Sequence, residues 1–508
     1  MKKQVKKIVF VGIIVVLLLL GWFILEQIIP DDESKGTIKI LDLDPVDYSM
    51  VGIVEPGQTY RYFIGKLEPG EDAEEGAEPQ YYFWDDGQFD QMDKYGYYEP
   101  YNMEKVFERL TSLTALELVD EAPEDYAQYG LDLESATVVV AEPYDYAEEA
   151  ETVRVLIGDR NKIVSGEGYY CRVLSDETPE VYLIETLDAG TFLGGPAFFL
   201  STEILPNFGT YYDEVRHVTL TNRAGEVIKF SRFDSFKSDE VGELIYTNFY
   251  MTSPYSCYVN DDIIGTQMLE QIVNTQVAQV CAVAPTAEEL TQYGFDNCAT
   301  VEFNLVGGDL TYRIGTPNGP TAGVVYMMVD GFDTVYMCYG EAGYVDMNAM
   351  SFRSGLAWIH DIKLAGTLDI HTPSGDYTVV LDDTVDSGKG TGTWIAQITD
   401  HSTGVSAILS ENNGRNLYAD CISVKYDELV VSDEFPIIED EPAYSMTLKY
   451  KDFDYTTKVS FYKVTSRQYA VLFDDDPIEK AGFTVNVVKL KEIAEDLRII
   501  MDGGVIDD

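Results

Sequence analysis

The sequence predicts an α+β protein, in which an N-terminal transmembrane helix is followed by tandem modules of antiparallel sheet with short helices. Three observations support this prediction. An uncharged apolar run lies near the N-terminus, one segment recurs further along the chain, and each copy opens with alternating apolar and polar residues around a glycine-containing turn. The 508 residues are enough for about three domains.

The first predicted element is a membrane anchor. Residues 1–7 are basic and form a predicted cytoplasmic tail, and residues 8–29 form the predicted transmembrane helix. Within it, the 18 residues of Ile8–Leu25 carry no charge, which is about the length needed to cross a hydrocarbon core of roughly 30 Å. A cleaved signal peptide is the alternative, but its apolar region is about 7–15 residues long and ends at small residues.

Charge predicts the orientation of the anchor and excludes one class of partner. Four lysines precede the apolar run and Asp31–Glu33 follow it, so the positive-inside rule places the N-terminus in the cytoplasm and the bulk of the chain outside. The net charge of −53 excludes nucleic acid as a partner, because binding phosphates needs basic surface. The absence of any N-x-S/T sequon suits a bacterial protein.

An internal repeat predicts the modules. Phe107–Val119 followed by Pro123–Asp132 is similar to Leu269–Cys281 followed by Pro285–Asp296. The similarity continues through Ala136-Thr-Val and Ala299-Thr-Val, and then through two Ile-Gly pairs that end at Gly158 and Gly315. The offset falls from 164 to 157 residues along the way, which places a seven-residue acidic insertion near residues 144–151 of the first copy.

Three modules account for the length. We predict module 1 at residues 36–205, module 2 at 213–362 and a degenerate module 3 at 363–508, which lacks the Tyr-Gly-Leu-Asp element. Each opens on a predicted hairpin, at residues 36–64, 215–230 and 366–381. A short helix, the Tyr-Gly turn and three or four antiparallel strands then follow.

The recurring Tyr-Gly-Φ-Asp motif is interpreted as a structural turn. Glycine just past a helical turn adopts positive φ without penalty, the next apolar residue packs on the module core, and the aspartate turns the chain into a strand. The alternative is that the aspartates are ligands. The motif residues are Tyr129, Gly130, Leu131 and Asp132 in the first copy, and Tyr293, Gly294, Phe295 and Asp296 in the second.

The order of these short motifs resembles a bacterial family, the domain of unknown function DUF4340. The resemblance covers residues 100–200 and 265–345 well and the last third poorly. It implies a single-span protein similar to the ectodomains of gliding-motility-type ABC transporter auxiliary components, which are encoded beside ABC-2-type transporter subunits. It implies no catalytic residues, and none is transferred.

The sequence contains no convincing catalytic, cofactor or metal motif, so we expect no enzyme activity, no cofactor and no metal. The segment Ser387–Gly392 departs from the phosphate-loop pattern and is predicted to be a flexible loop. His360 precedes Asp361, but no nucleophile elbow accompanies the pair. His217 and His371 alternate with apolar residues in the opening hairpins, and the fourth histidine is His401.

Cysteines and aromatic residues leave two questions open. Cys171 and Cys338 lie in strand-like runs and are predicted to be buried free thiols, whereas the pairing of the other four cysteines cannot be deduced. Aromatic runs at Tyr81–Trp84, Tyr95–Tyr98 and Tyr211–Tyr212 favour sheet packing, with a sugar-stacking or protein-binding surface as the alternative.

These observations predict a non-enzymatic, membrane-anchored extracytoplasmic protein that acts as an auxiliary or scaffold of an ABC-type transport system. Its expected partners are the membrane, through a single span, and an ABC transporter permease or related auxiliary subunit. The alternative function is a cell-surface module that binds wall polymer or carbohydrate, and a hydrolase is the least supported third possibility.

Overall fold

A computed structural model describes most of the chain. The described residues are 38–57, 62–69, 78–85, 94–147, 150–161, 167–174, 179–205, 214–232, 249–385, 393–451 and 453–506. The chain divides into two compact units, the first ending at Ser201 and the second beginning at Thr202. The predicted transmembrane helix at residues 8–29 and the loop Ser387–Gly392 lie outside the described residues. Among the residues that are described, no helix is long and apolar enough to cross a membrane.

The first unit contains one eight-stranded antiparallel sheet. Its strands lie in the order β4-β3-β2-β7-β8-β9-β10-β6, and β1 pairs with β5 in a separate two-stranded sheet. The strands are β1 Ile38–Lys39, β2 Tyr48–Val54, β3 Tyr62–Leu67, β4 Gln80–Asp85, β5 Thr114–Ala115, β6 Glu117–Asp120, β7 Thr137–Pro143, β8 Val153–Asn161, β9 Gly168–Val173 and β10 Val181–Glu185.

Two helices cover one face of this sheet. They are α1 (Pro100–Thr111) and α2 (Thr186–Leu193), with short 3-10 helices at Pro45–Asp47, Ala127–Tyr129 and Pro196–Phe199. Helix α1 starts at Pro100, where the missing N–H costs nothing. It buries residues at i, i+3, i+4 and i+7, which form one apolar stripe against the sheet: Met103, Val106, Phe107 and Leu110.

The second unit contains two sheets of nine strands each. The second sheet has the order β14-β13-β12-β11-β16-β17-β18-β19-β15. Its strands are β11 Val215–Thr221, β12 Val227–Arg232, β13 Phe249–Ser253, β14 Cys257–Tyr258, β15 Gln276–Val283, β16 Ala299–Leu305, β17 Gly308–Gly315, β18 Val324–Val329 and β19 Thr334–Tyr339.

The third sheet has the order β23-β22-β21-β20-β25-β26-β27-β28-β24. Its strands are β20 Ala365–Thr372, β21 Gly375–Val385, β22 Thr393–Asp400, β23 Ser406–Leu409, β24 Tyr426–Val430, β25 Tyr444–Tyr450, β26 Thr456–Lys463, β27 Gln468–Phe473 and β28 Phe483–Asn486.

Short helices accompany both sheets of the second unit. The α-helices are α3 Asp261–Ile264, α4 Glu270–Val273, α5 Ala287–Gln292, α6 Ala349–Phe352, α7 Glu411–Ile422 and α8 Val487–Met501. A π-helix at Gly265–Leu269 joins α3 to α4. The 3-10 helices are Phe295–Asn297, Gly343–Asp346, Ile362–Leu364 and Ile478–Lys480.

The three sheets share one strand order. In each, the strand that follows the first helix of the module (β6, β15 or β24) lies at the far edge, beside the last strand. The first strand of each large sheet (β2, β11 or β20) pairs with the strand after the crossover (β7, β16 or β25). The same register shift recurs there, between Tyr48 and Met50, Val215 and His217, and Ala365 and Thr367. The predicted α+β class with tandem sheet modules is confirmed, and the third sheet has the complete order although its sequence resembles the others weakly.

The structure adds strands that the sequence pattern did not predict. One or two more strands follow each opening hairpin, and the segment after the first helix of each module adds an edge strand. In the second copy, the repeated segment Leu269–Cys281 contains two elements: the helix ends at Val273 and β15 follows, half exposed at the sheet edge. An insertion lies in the first copy where predicted, but it is five residues long and not seven, because 20 positions separate the paired residues Thr137 and Ile157 whereas 15 separate Ala299 and Ile314. The module limits stay a prediction.

The second and third sheets pack on each other within the second unit. Tyr250 and Tyr258, from β13 and β14, belong to the apolar core of the third sheet and contact Phe473 edge-on. Conversely, Phe483 from β28 of the third sheet belongs to the apolar core of the second sheet. Between them, His360 is buried, with Nδ1 2.8 Å from Tyr450 Oη and Nε2 3.3 Å from Tyr258 Oη.

Candidate binding face on the first sheet

The Tyr-Gly-Φ-Asp residues form a turn in both copies. Gly130 and Gly294 follow short helical segments with φ of +67° and +84°, the left-handed region that glycine adopts readily. The next residues are buried, Leu131 against Ala136, Leu156 and Val181, and Phe295 against Met328 and Val335.

The two aspartates of the motif differ in their contacts. The Asp132 carboxylate accepts hydrogen bonds from the backbone N–H groups of Glu134 and Ser135 at 3.0 Å. Hydrogen bonding with Ser135 holds the pKa of Asp132 below its ordinary value. Asp296 is exposed in the corresponding 3-10 helix. The described residues contain no group of three or more His, Cys, Asp or Glu side chains arranged to hold a metal ion.

The two repeated motifs, Tyr-Gly and Ile-Gly, lie against each other. A Cβ built on Gly158 would stand 2.3 Å from the carbonyl oxygen of Tyr129, and one on Gly315 would stand 2.2 Å from that of Tyr293. The pairing of Thr137 with Ile157 and of Ala299 with Ile314 makes Thr137 equivalent to Ala299. The sequence match of Ala136 with Ala299 is therefore wrong by one residue, which matters because a one-residue slip exchanges the two faces of a strand.

Buried histidine and cysteine side chains have structural surroundings. Burial lowers the pKa of His360 to about 3, so its ring is neutral and links the two tyrosines described above. All six cysteines are unpaired, and Cys171 and Cys338 are fully buried as predicted. Burial raises the pKa of each of these two thiols to about 12, which makes them poor nucleophiles.

The aromatic runs are divided between core and surface. Phe83 and Tyr95 are buried, and Phe83 stacks on Tyr98 with ring centroids 5.0 Å apart. Tyr97, in contrast, is 52% exposed. Trp84 faces the other way, onto the face of the sheet opposite α1 and α2, which we call the outer face. Tyr211–Tyr212 lies outside the described residues.

One row of the outer face is apolar across four strands and ends at an arginine. The Phe63 and Trp84 rings stack at 5.5 Å with 20° between their planes. They lie close against the sheet, since a Cβ on Gly52 would be 3.0 Å from the Phe63 ring and a Cβ on Gly65 2.7 Å from the Trp84 ring. From β4 to β8 the row reads Trp84, Phe63, Gly52, Val140 and Arg154.

The same row is polar in the other two sheets. The shared register shift identifies the equivalents of Gly52 as Thr219 and Asp369. In the second sheet the row reads Ser253, Lys229, Thr219, Glu302 and Thr311. In the third it reads Thr399, Thr378, Asp369, Thr447 and Lys458. The repeat thus provides an internal comparison. The row is mainly apolar in the first module and polar in the other two.

A groove of about 400 Å³ lies on the outer face beside Phe63. Leu133, directly after the Tyr-Gly-Leu-Asp motif, stands at its edge with 70% of its surface exposed. The two charged side chains that line the groove are Arg154 and Glu142, which accepts a 2.7 Å hydrogen bond from Thr152. The lining residues are Met50, Gly52, Val54, Phe63, Leu133, Val138, Val140, Glu142, Arg154 and Leu174.

Sequence reasoning missed this groove because its residues come from four strands and two loops. The available signal was the placement of Gly52 and Gly65 inside strands, where glycine often marks close approach of another group. The outer side of β7, with Val138 and Val140, reads like a buried strand and gives no sign that it faces away from the helices.

Comparison with known proteins supports a family and no activity. No curated protein matches the sequence significantly. One solved structure aligns with this chain, a double mutant of the vaccine antigen transferrin binding protein B from Haemophilus parasuis Hp5. The alignment covers 71% of this chain and 63% of that chain, with 8% sequence identity. Its TM-score of 0.08 carries no argument about fold or function. The family described as Domain of unknown function (DUF4340) matches residues 93–245, which confirms the resemblance over the first of the two expected stretches. Residues 93–245 of this chain are therefore similar to a DUF4340 domain.

Proposed function

We propose that this protein is a non-enzymatic auxiliary or scaffold component of an ABC-type transport system, anchored in the membrane with its bulk extracytoplasmic, and that the outer face of its first sheet contacts a protein partner. The observation that carries the proposal is the row through Phe63, Gly52 and Val140, apolar here and polar at the equivalent positions of both other modules. Phe63 and Val140 are partly exposed, and accessible apolar surface of this kind is typical of an interaction site.

The lining of the groove favours a polypeptide over a carbohydrate. Sugars are held by many hydrogen bonds together with aromatic stacking, whereas this groove is mainly aliphatic and offers two charged side chains, Glu142 and Arg154. The Phe63–Trp84 stack is the one feature that favours the alternative, a module that binds wall polymer or carbohydrate. A single-span anchor at residues 8–29 would raise the local concentration of the modules around a permease.

The test transfers the polar row of the second sheet to the first. Phe63→Lys and Val140→Glu introduce the residues found at Lys229 and Glu302, on a face that the inner core does not touch. A photo-crosslinking amino acid in place of Leu133 should capture an ABC transporter subunit, identified by mass spectrometry, and the double variant should reduce this crosslink at least tenfold.

A matched control changes the same face of the second module. Thr219→Val in that module should leave the crosslink unchanged. Retention on purified cell wall that is lost in the Phe63→Lys, Val140→Glu variant would favour the carbohydrate alternative. A crosslink that is equally strong in the double variant would contradict the proposed contact face.

A further inference from the structure

The helices of the first and third modules correspond residue by residue. Helices α1 and α7 each have twelve residues, and α2 and α8 each begin directly after the last strand of the repeat. The buried positions of α1 and α7 coincide when Asn102 is aligned with Asn413; the pairs are Met103 and Gly414, Val106 and Leu417, Phe107 and Tyr418, and Leu110 and Cys421.

An ion pair between the two helices confirms this alignment. Arg109 Nη1 lies 2.5 Å from Asp188 Oδ1 in the first module. At the equivalent positions of the third module, Asp420 pairs with Lys489. The contact is preserved while the two charges have changed places.

In the third module, α7 binds the segment Gly504–Ile506, which follows α8 and is neither helix nor strand. Asn413 donates from Nδ2 to the carbonyl of Gly504 at 3.0 Å and accepts from the N–H of Ile506 at 3.2 Å. Asn416 donates to the carbonyl of Ile506 at 3.3 Å. The Ile506 side chain is 4% exposed and joins the core of the module.

In the first module the chain takes another direction at this point. Asn102, the equivalent of Asn413, donates to the carbonyl of Phe198 at 2.8 Å, as Asn413 does to Gly504. The chain then turns toward the start of α1, where Phe199 accepts from the N–H of Glu99 at 2.8 Å. The side of α1 that corresponds to the Ile506 position therefore borders an open groove.

This groove, between α1 and α2, has a volume of about 670 Å³. Its apolar surface is exposed, 59% for Tyr101 and 68% for Leu187. Position 105 is a lysine where the third module has Asn416, and Gly190 stands where that module has Lys491. Its lining includes Tyr101, Asn102, Lys105, Arg109, Leu187 and Gly190.

The charged residues that line the groove are both cations. Lys105 pairs with Glu108 and Arg109 with Asp188, yet an ammonium has three N–H donors and a guanidinium five, so each retains donors for a further acceptor. In a chain of net charge −53, a groove with two cations on one wall is suited to a ligand with its own carboxylates.

We propose that this groove binds an extended polypeptide segment of a partner protein, in which an aliphatic residue that fills the apolar floor is followed by one or two carboxylates that meet Lys105 and Arg109. The chain's own Val-Ile-Asp-Asp sequence at 505–508 has this order, and its Ile506 shows how α7 receives the aliphatic residue. A second copy of the chain is a poorer occupant, because two chains of net charge −53 repel each other. The inference is independent of the outer-face proposal, since the groove lies on the helix layer.

The experiment measures fluorescence anisotropy of a labelled peptide, Gly-Gly-Val-Ile-Asp-Asp, titrated with the full chain in detergent. We expect saturable binding that Gly190→Gln, which fills the groove without adding charge, weakens at least tenfold. Nothing lies within 4 Å of a Cβ at Gly190, so the new side chain enters the groove without disturbing the fold. Lys105→Asn should weaken binding of this peptide about threefold or more and leave binding of Gly-Gly-Val-Ile-Asn-Asn unchanged.

The matched control is Lys491→Ala, at the equivalent position of the third module, which should not alter the affinity; thermal unfolding checks that all variants are folded. Absence of saturable binding, or binding that Gly190→Gln leaves intact, would overturn the proposal. Dimerisation of the full chain that Gly190→Gln abolishes, without peptide binding, would show a second copy in the groove and would overturn it as well.

Discussion

Gly158 lies against the carbonyl oxygen of Tyr129, so closely that a Cβ on the glycine would stand 2.3 Å from that oxygen. The second module repeats the contact between Gly315 and Tyr293 at 2.2 Å. The third module has no Tyr-Gly turn, and strand pairing places Tyr462 at the position of these glycines. The Tyr-Gly turn and the Ile-Gly pair therefore occur in the same modules. The turn places a carbonyl oxygen in the space that a Cβ on the strand glycine would need.

Substituting alanine for Gly158 should destabilise the first module by about 2–4 kcal/mol, because the added methyl group collides with backbone that cannot move aside. Gly315→Ala should do the same in the second module. The measurement is urea unfolding followed by circular dichroism. Gly190→Ala is the control, since that site has room for a Cβ and lies in a helix, where alanine is favoured. Equal stabilities of Gly158→Ala and Gly190→Ala would contradict the steric argument.

The exchanged ion pair predicts a rescue by double substitution. Arg109→Asp places two carboxylates together and Asp188→Lys places two cations together, and we expect each to cost about 1–3 kcal/mol, since Asp188 is largely buried. The double variant recreates the polarity of Asp420 and Lys489 and should recover most of the loss. A double-mutant cycle from chemical denaturation measures the coupling. Additive effects of the two substitutions would show that the positions do not interact.

His360 should make the second unit less stable in acid. Its pKa is lowered to about 3 by burial, against an ordinary 6.5. Between these values the unfolded chain binds a proton that the folded chain does not, so stability falls as the pH is lowered from about 6.5 toward 3. His360→Asn removes this proton uptake. The stability advantage of the wild type over the variant should therefore shrink between pH 7 and pH 4, by at most about 1.4 kcal/mol per pH unit. An advantage that does not change with pH would exclude a neutral buried imidazole.

Asp496, on α8, should make the protein less stable as the pH rises, which is opposite to the effect of His360. Burial, with the hydrogen bond and charge of Asp420, raises its pKa to about 6, against an ordinary 3.8. Between these values the folded chain holds a proton that the unfolded chain has lost, so this group's contribution to stability falls as the pH rises from about 4 to 6. Asp496→Asn should unfold at a higher temperature than the wild type at pH 7.5, and the difference should diminish at pH 4. Calorimetry at the two pH values measures this, and a variant that melts lower at pH 7.5 would contradict it.

Much of the architecture was predictable from the sequence because it rests on local patterns. Alternation around glycine turns predicted the opening hairpins, and the recurrence of Tyr129-Gly130 at Tyr293-Gly294 predicted a repeated turn. The edge strands β6, β15 and β24 were missed for a physical reason. An edge strand is exposed on one side and its residues alternate poorly, so its sequence resembles a loop or a helix end.

The candidate grooves could not be predicted in the same way. Val140 and Gly52 look like ordinary residues of buried strands, and only their pairing in one row shows that they face away from the helices. Likewise, Lys105 and Leu187 are far apart in sequence and become neighbours because α1 and α2 cover the same face of the sheet.

The sequence alone determined that the chain is an acidic α+β protein of repeated modules, because composition, alternation and self-similarity are local properties of the chain. Only the tertiary structure decided that the third module has the full strand order, that the two glycine motifs touch, and that one module differs from its copies along a single outer row. These relationships join residues from separate strands, and strand register, which places a side chain on one face or the other, is fixed by long-range pairing.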